Sequence, residues 1–320
     1  MMPVVPIIGA GPAGMSCALW LRNYELRPIL IEREAAPGGM ARQSPYPNEW
    51  LLGRPHETAR ENALAFERHV REVAVEFRLG TSPRELYRER DGSFRIELAF
   101  SSGFGAPESL TAATLVLAMG TRFHGEEWLD QVANARRVLE RGRLHVGAPW
   151  AGEPNVDPGS HVAIVGGGDN AFDVARMLVE HRVRVTIVMR SQAPRARPAL
   201  VERLRGHPPE MARVWRQRSV RSVEDCNGGV RLNLDNGERF EADHVLLLLG
   251  YRPNGDAPWM AKLGLARDGR GYIVVDRNME TSCPGVFAVG DVGNPAHPSI
   301  AVAIASGAVA AREIARRLAR

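Results

Sequence analysis

Residues 4–14 read Val-Val-Pro-Ile-Ile-Gly-Ala-Gly-Pro-Ala-Gly, an apolar run that breaks into the spacing Gly9-x-Gly11-x-x-Gly14. Met15 to Asn23 continue at helical periodicity, and Pro28-Ile29-Leu30-Ile31 is a second apolar run ending at Glu32. Strand, glycine turn, helix and strand in that order form one βαβ unit. The glycines of such a turn leave backbone N–H groups bare at a helix N-terminus, where side chains would otherwise block a pyrophosphate. The pattern returns once. His161-Val162-Ala163-Ile164-Val165 leads into Gly166-Gly167-Gly168-Asp169-Asn170-Ala171, a helix to His181 and a strand from Val183 to Met189. One glycine turn is weak evidence, but two in this context predict an α/β chain with two Rossmann-like dinucleotide-binding domains.

The ends of the two second strands differ in charge. Counting 23 residues from Gly9 reaches Glu32, a carboxylate able to accept bonds from ribose hydroxyls. The same count from Gly166 reaches Met189, followed by Arg190, with Arg195 and Arg197 close behind. Arginine there suits a 2′-phosphate. The first unit therefore reads as a site for FAD and the second as a site for NADP(H). The alternative, that Arg190 is one more exposed arginine in an arginine-rich chain, keeps NAD(H) open.

The remaining signals are coarser. A helix is expected over 56–75, and a hairpin from Arg84 to Arg90 and Phe94 to Phe100, split by Asp91-Gly92. Thr114 to Ala118 is a buried strand closed by Gly120, and two short strand signals precede the apolar run Val245 to Leu249. Val286 to Val289 ends at Gly290-Asp291, and Ile300 to Leu318 is an alanine-rich helix. Pro6 is out of place, because proline removes a ladder donor from what should be a central strand.

Composition narrows the class. At 320 residues the chain has room for two domains, and 44% apolar with 24% charged residues fits a globular protein. Cys17, Cys226 and Cys283 lie far apart, which excludes a disulfide framework or CxxC site and fits a reducing compartment. Lys262 is the only lysine among 41 basic residues, and no run of like charge supports nucleic-acid binding. Met1 to Leu21 carries no charge, yet glycines and prolines break it and no basic segment precedes it. Neither a signal peptide nor a membrane span is expected, and the protein reads as cytoplasmic. No cluster has metal-ligand spacing.

Taken together these motifs resemble the two-dinucleotide-binding-domain flavoproteins, in particular the low-molecular-weight thioredoxin reductase-like branch. The likeness covers nearly the whole chain. It implies that Gly9, Gly11, Pro12, Ala13, Gly14 and Glu32 hold the FAD pyrophosphate and ribose, and that Gly38-Gly39 is the glycine pair nearer the flavin. Thr281-Ser282-Cys283-Pro284-Gly285-Val286-Phe287-Ala288-Val289-Gly290-Asp291 is similar to the second FAD motif, whose aspartate contacts the ribityl chain. Ser299, Ile300 and Ala301 would open the helix whose N–H groups face the flavin pyrimidine. The resemblance implies an FAD domain made of residues 1–120 and 250–320, an NAD(P)H domain of 121–249, crossovers near Gly120 and Gly250, and a homodimer.

Thioredoxin reductases carry a CxxC pair before the second glycine turn, whereas residues 147–160 contain no cysteine. Without a dithiol there is no relay to thioredoxin. Cys17 and Cys283 read as small buried hydrophobes and Cys226 as part of a turn. The chain is similar instead to the ferredoxin (flavodoxin)–NADP reductases of the same fold, which also lack that pair. Gly166 to Asp173 looks like their NADP turn, with Gly168, Asp169, Asn170 and Ala171 at the coenzyme and Asp173 either near the nicotinamide or an ordinary helix carboxylate. Tyr46-Pro47-x-x-Trp50 is similar to their Tyr-Pro-x-x-Tyr segment, which implies that Tyr46 stacks on the flavin; a loop aromatic covering the core is the equal alternative. Those reductases continue past the last helix, whereas this chain stops at Arg320, and the comparison implies that one flavin face would be open to a smaller oxidant.

The expected chemistry is hydride transfer from NADPH to flavin, then electron release to an acceptor. A small electron-carrier protein, docking on arginines between Arg195 and Arg221, is the first candidate acceptor. An NAD(P)H oxidase or diaphorase reducing oxygen or quinone is the alternative, followed by a non-catalytic FAD module. A flavin monooxygenase, hinted at by Phe123-His124-Gly125, lacks the later histidine.

Overall fold

The computed structural model describes residues 2–46, 48, 50–100, 108–148, 156–226, 228–293 and 295–319. Two compact units emerge, one of Met1–Arg122 with Arg252–Arg320 and one of Phe123–Tyr251. The chain passes between them through strands Thr121–Phe123 and Tyr251–Pro253, which pair as a ribbon.

The first unit is built on a five-stranded sheet in the order Val286–Ala288, Leu115–Leu117, Val4–Ile8, Arg27–Ile31 and Glu76–Arg78. Every pairing in it is parallel. Strands buried on both faces need apolar residues at every position, which is why Val4–Ile8 shows no alternation. Val5, Ile7 and Leu30 point to one face, where they meet Met15, Leu21, Ala310 and Ile314 of helices Pro12–Asn23 and Ile300–Leu318. Ile8, Ile29 and Ile31 point to the other, against Leu86, Phe94, Ile96 and Leu98. Those four belong to an antiparallel sheet of Thr81–Arg88, Phe94–Phe100 and Glu108–Ala112. The result is a three-layer ββα arrangement.

Three departures from the sequence reading have physical causes. The expected hairpin is a three-stranded sheet, because Glu108–Ala112 is mostly polar and gave no strand signal. The helix expected from His56 begins at Ala59, since Thr58 and Glu61 form a reciprocal capping box: Glu61 N donates to Thr58 Oγ1 at 3.1 Å and Thr58 N to Glu61 Oε2 at 2.7 Å. Pro6 costs the sheet nothing. Gly9 N donates to Ile31 O at 2.8 Å, so alternation turns the Pro6 nitrogen toward Leu115–Leu117, and that ladder starts only at Ile7 opposite Val116.

The second unit repeats the plan. Its parallel sheet runs Ala212–Arg216, Arg184–Met189, His161–Val165, His244–Leu247 and Leu144–Val146. Val223, Val230 and Leu232 of the antiparallel sheet Val220–Cys226, Gly229–Leu234 and Arg239–Ala242 pack on Ala163, Val188, Val245 and Leu247. Four strands thus replace the two short signals expected before Val245. Cys226 closes a strand opposite Gly229 and does not lie in the turn itself. Among the described residues no helix is long and apolar enough to cross a membrane.

On the edge pairing of this sheet, His145 Nε2 lies 3.3 Å from His244 Nδ1. Burial, then the charge of His244, lowers the His145 pKa to about 4. Burial and Arg143 lower that of His244, opposed by Asp243. The unfolded chain takes up these protons near pH 6.5, the folded chain only at lower pH, so protonation favours unfolding. The contribution is complete above about 6.5 and declines toward about 4. Urea midpoints compared at pH 7.5 and pH 5 should fall on acidification, and His145→Gln should flatten that dependence.

Candidate nucleotide sites

In the first unit the glycines of the opening turn serve two different needs. A Cβ on Gly9, whose φ is +107°, would lie 2.4 Å from Ala118 O, and one on Gly14 would lie 2.1 Å from Gly9 O. Those two positions are fixed by the chain's own backbone. A Cβ on Gly11 would meet nothing within 4 Å. The packing of the chain does not require glycine there, and the bare turn leaves its backbone open to a close approach. Gly11 is also the N-cap of helix Pro12–Asn23, without a side-chain cap, so the helix N–H groups face that open space.

Other predicted residues gather around this turn. Gly38 N donates to Ala10 O at 2.8 Å, and a Cβ on Gly39 would lie 3.5 Å from Gly11 Cα. Arg42 holds the segment by donating to Glu67 at 2.8 Å and to Pro37 O at 3.1 Å. Glu32 stands at the rim, its Oε2 accepting from Ala10 N at 2.8 Å and its Oε1 from Glu34 N at 3.0 Å. Each oxygen keeps a second lone pair for a ribose hydroxyl. A Cβ on Gly290 would lie 2.8 Å from Ala13 Cβ, and its N–H donates to Ser306 Oγ at 2.9 Å. Asp291 is half-buried, and burial pushes its carboxyl up. Ser299 caps the helix opened by Ile300 and Ala301, its Oγ accepting from Val302 N at 3.3 Å.

The aromatic pair is placed differently. Tyr46 is half-buried, and its carbonyl accepts from Ala59 N at 3.0 Å at the start of helix Ala59–Glu72. Pro47 lies outside the described residues, and Trp50 is 76% exposed. Gly120, at φ +59°, belongs to the crossover, where its carbonyl accepts from Asn254 N at 3.0 Å.

The second turn repeats the plan of the first. A Cβ on Gly166 would lie 2.3 Å from Leu248 O, while one on Gly168 would meet nothing within 4 Å. Gly168 is again an N-cap without a side chain over it, opening helix Asp169–Glu180. Ala171 takes the third glycine position and is fully buried, its methyl filling the helix–strand seam. Arg195 N donates to Gly167 O at 2.7 Å, which ties the arginine-rich loop to the turn. Arg190 and Arg195 are exposed and, among the described residues, form no ion pair. Arg197 is engaged elsewhere, its N and Nε donating to the two oxygens of Asp169 at 2.7 and 2.8 Å. Asp173 is half-buried and its carboxyl is pushed up by burial.

Two partners of these residues, Tyr251 and Ser306, carried no clear sequence signal. Asn170 Nδ2 donates to Tyr251 Oη at 2.5 Å, a link only the fold reveals. Ser306 is hidden in an alanine-rich helix. The cysteines are all free; Cys17 and Cys283 are buried, and burial pushes all three thiols up. Among the described residues no group of His, Cys, Asp or Glu has the arrangement of a metal site.

Duplicated open glycine turns on duplicated ββα units account for the comparisons with known proteins. Residues 3–307 match the family described as pyridine nucleotide-disulphide oxidoreductase. The chain belongs to this family. It is an FAD-dependent oxidoreductase that uses NAD(P)H. It is 30% identical over 322 residues to a ferredoxin–NADP reductase of Ignicoccus hospitalis, covering 95% of this chain and 94% of that one. A ferredoxin–NADP reductase of Limosilactobacillus fermentum is 31% identical over 294 residues, covering 90% of this chain and 84% of its own. In fold the chain is similar to the thioredoxin reductase of T. acidophilum, with a TM-score of 0.83 at 24% identity over 99% of this chain and 98% of that one.

The open space at Gly11 makes a direct prediction. Gly11→Val places its Cβ where no other atom of the chain lies within 4 Å and should cost the apoprotein only about 1 kcal/mol, as an N-cap change. It should nevertheless purify with a sharply reduced flavin-to-protein ratio, read from visible absorbance and from thermal melts with and without added FAD.

Proposed function

We propose that the protein is an NADPH-dependent FAD reductase that delivers electrons to a small electron-carrier protein of the ferredoxin or flavodoxin type. The observation that carries the coenzyme half is the pair of open glycine turns with opposite charge at their rims, Glu32 on one and Arg190 with Arg195 on the other. In this reading residues of Met1–Arg122 and Arg252–Arg320 hold FAD, and Phe123–Tyr251 holds NADP(H).

Each chain residue has a role that follows from its chemistry. The N–H groups after Gly11 and Gly168 donate to pyrophosphate oxygens, and Glu32 accepts from ribose hydroxyls. Arg190 and Arg195 pair with the 2′-phosphate. Asp291, held in a buried setting, would hold the ribityl hydroxyls, and the start of helix Ile300–Leu318 would offer its partial positive charge to the flavin. FAD held by these residues would supply the redox chemistry, hydride acceptance from NADPH and electron release to the acceptor. No thiol takes part in this reading, because the chain has no CxxC pair and burial raises the thiol pKa of Cys17 and Cys283. The carrier-protein acceptor is supported by the two relatives named ferredoxin–NADP reductase and by the basic stretch from Arg195 to Arg221.

Anaerobic titration should bleach the flavin with NADPH at far lower concentration than with NADH. Replacing both Arg190 and Arg195 by Ala should raise the KM for NADPH by about 10- to 100-fold and leave that for NADH nearly unchanged. An equal response to both coenzymes in the parent protein would remove the 2′-phosphate role. The reduced protein mixed in a stopped-flow instrument should reoxidise faster with ferredoxin or flavodoxin than with oxygen or quinone. Faster reoxidation by oxygen would make it an oxidase.

A further inference from the structure

The two turns differ at one position that bears on anion binding. Helix Pro12–Asn23 has no acid in its first turn, as expected where a pyrophosphate is to sit. Helix Asp169–Glu180 opens with Asp169, immediately after the open Gly168. A carboxylate there is favoured by the helix dipole, but it competes with a bound anion for the same positive end.

Arg197 meets this acid on both oxygens, through its backbone N–H and its Nε. The loop that carries it is tethered two residues earlier, where Arg195 N donates to Gly167 O at 2.7 Å, and Pro198 opens the next helix, Pro198–Arg205. The other charges nearby do not substitute. Arg176 is engaged by Glu180 at 2.6 Å, Asp173 is the half-buried acid whose carboxyl burial pushes up, and Arg203 lies on helix Pro198–Arg205. The Asp169–Arg197 pair is about half exposed, 43% and 53% at the side chains, so it contributes little to folding. Its effect is expected in the local potential.

We infer that Arg197 is a built-in counter-ion that neutralises Asp169 and so allows the second glycine turn to accept a dinucleotide pyrophosphate. The inference rests on assigning that turn to NAD(P)H. It makes Arg197 a positioning residue for the charge at the turn, shared by NADH and NADPH, and distinct from any ligand of the 2′-phosphate.

The test uses the flavin-loaded protein and 5′-ADP, which carries the two phosphates without a 2′-phosphate, in calorimetry at low and high salt, beside KM and kcat for NADPH and NADH. Arg197→Ala should weaken 5′-ADP by about tenfold at low salt, with a smaller loss at high salt. The KM for both coenzymes should rise by a similar factor with kcat little changed. Adding Asp169→Asn to Arg197→Ala should return 5′-ADP affinity to within about twofold of the parent, because the unpaired charge is gone. Failure of that second change to restore binding, or no loss in Arg197→Ala, overturns the inference. A loss confined to NADPH also overturns it, since the guanidinium would then be serving the 2′-phosphate. If the parent protein bound neither 5′-ADP nor either coenzyme, the assignment of the turn itself would fail, an outcome visible before any variant is made.

Discussion

The structure depends on backbone packed directly against backbone at two places. Gly9 sits on the Ala118 carbonyl and Gly166 on the Leu248 carbonyl, each with no room for a Cβ. Ala118 and Leu248 each follow a neighbouring parallel strand, Leu115–Leu117 and His244–Leu247. The close approach lets the strand turn into its helix within a few residues, so the helix N-terminus opens at the carboxyl edge of the sheet. The same features gather at that edge in either unit: N–H groups without side-chain caps, an open glycine, and a polar residue at the end of the second strand or just beyond it.

Two similar turns then receive different side chains. Glu32 is held by two backbone N–H groups and presents acceptors, whereas the second unit places Met189 in the core and exposed arginines beyond it. Gly14 must be glycine because Gly9 O lies against it, while the corresponding seam in the second unit has space for the Ala171 methyl. The first helix starts without an acid and the second starts with Asp169. One duplicated scaffold thus carries two electrostatic settings, and the difference between the two turns lies in side chains that hardly affect the fold. The same separation explains how a member of a disulphide oxidoreductase family lacks a dithiol: the scaffold needs no thiol, and those present are buried or solitary.

How much was legible follows from the range of the interactions involved. The two βαβ units, the C-terminal helix Ile300–Leu318 and both glycine turns are written in local spacing, and apolar runs set the parallel strands. The antiparallel sheets were read short, because half-exposed strands such as Glu108–Ala112 and Arg239–Ala242 carry polar residues that are stabilised only by their neighbours. The start of helix Ala59–Glu72 was available in Thr58-x-x-Glu61 and was missed by three residues, since apolar periodicity does not see a polar cap. Pro6 looked like a contradiction until strand register showed that its missing donor faces a stretch without a ladder.

Sequence alone therefore determined the α/β class, the duplicated turn and the charge contrast between Glu32 and Arg190, because each is set by residues within one βαβ unit. Tertiary structure decided which glycines answer to the protein's own backbone and which to open space, since Ala118 and Leu248 arrive from distant strands. It also decided which arginines remain exposed without ion pairs and which is drawn onto Asp169: that choice depends on where a loop returns after 28 residues, a distance that no local pattern encodes.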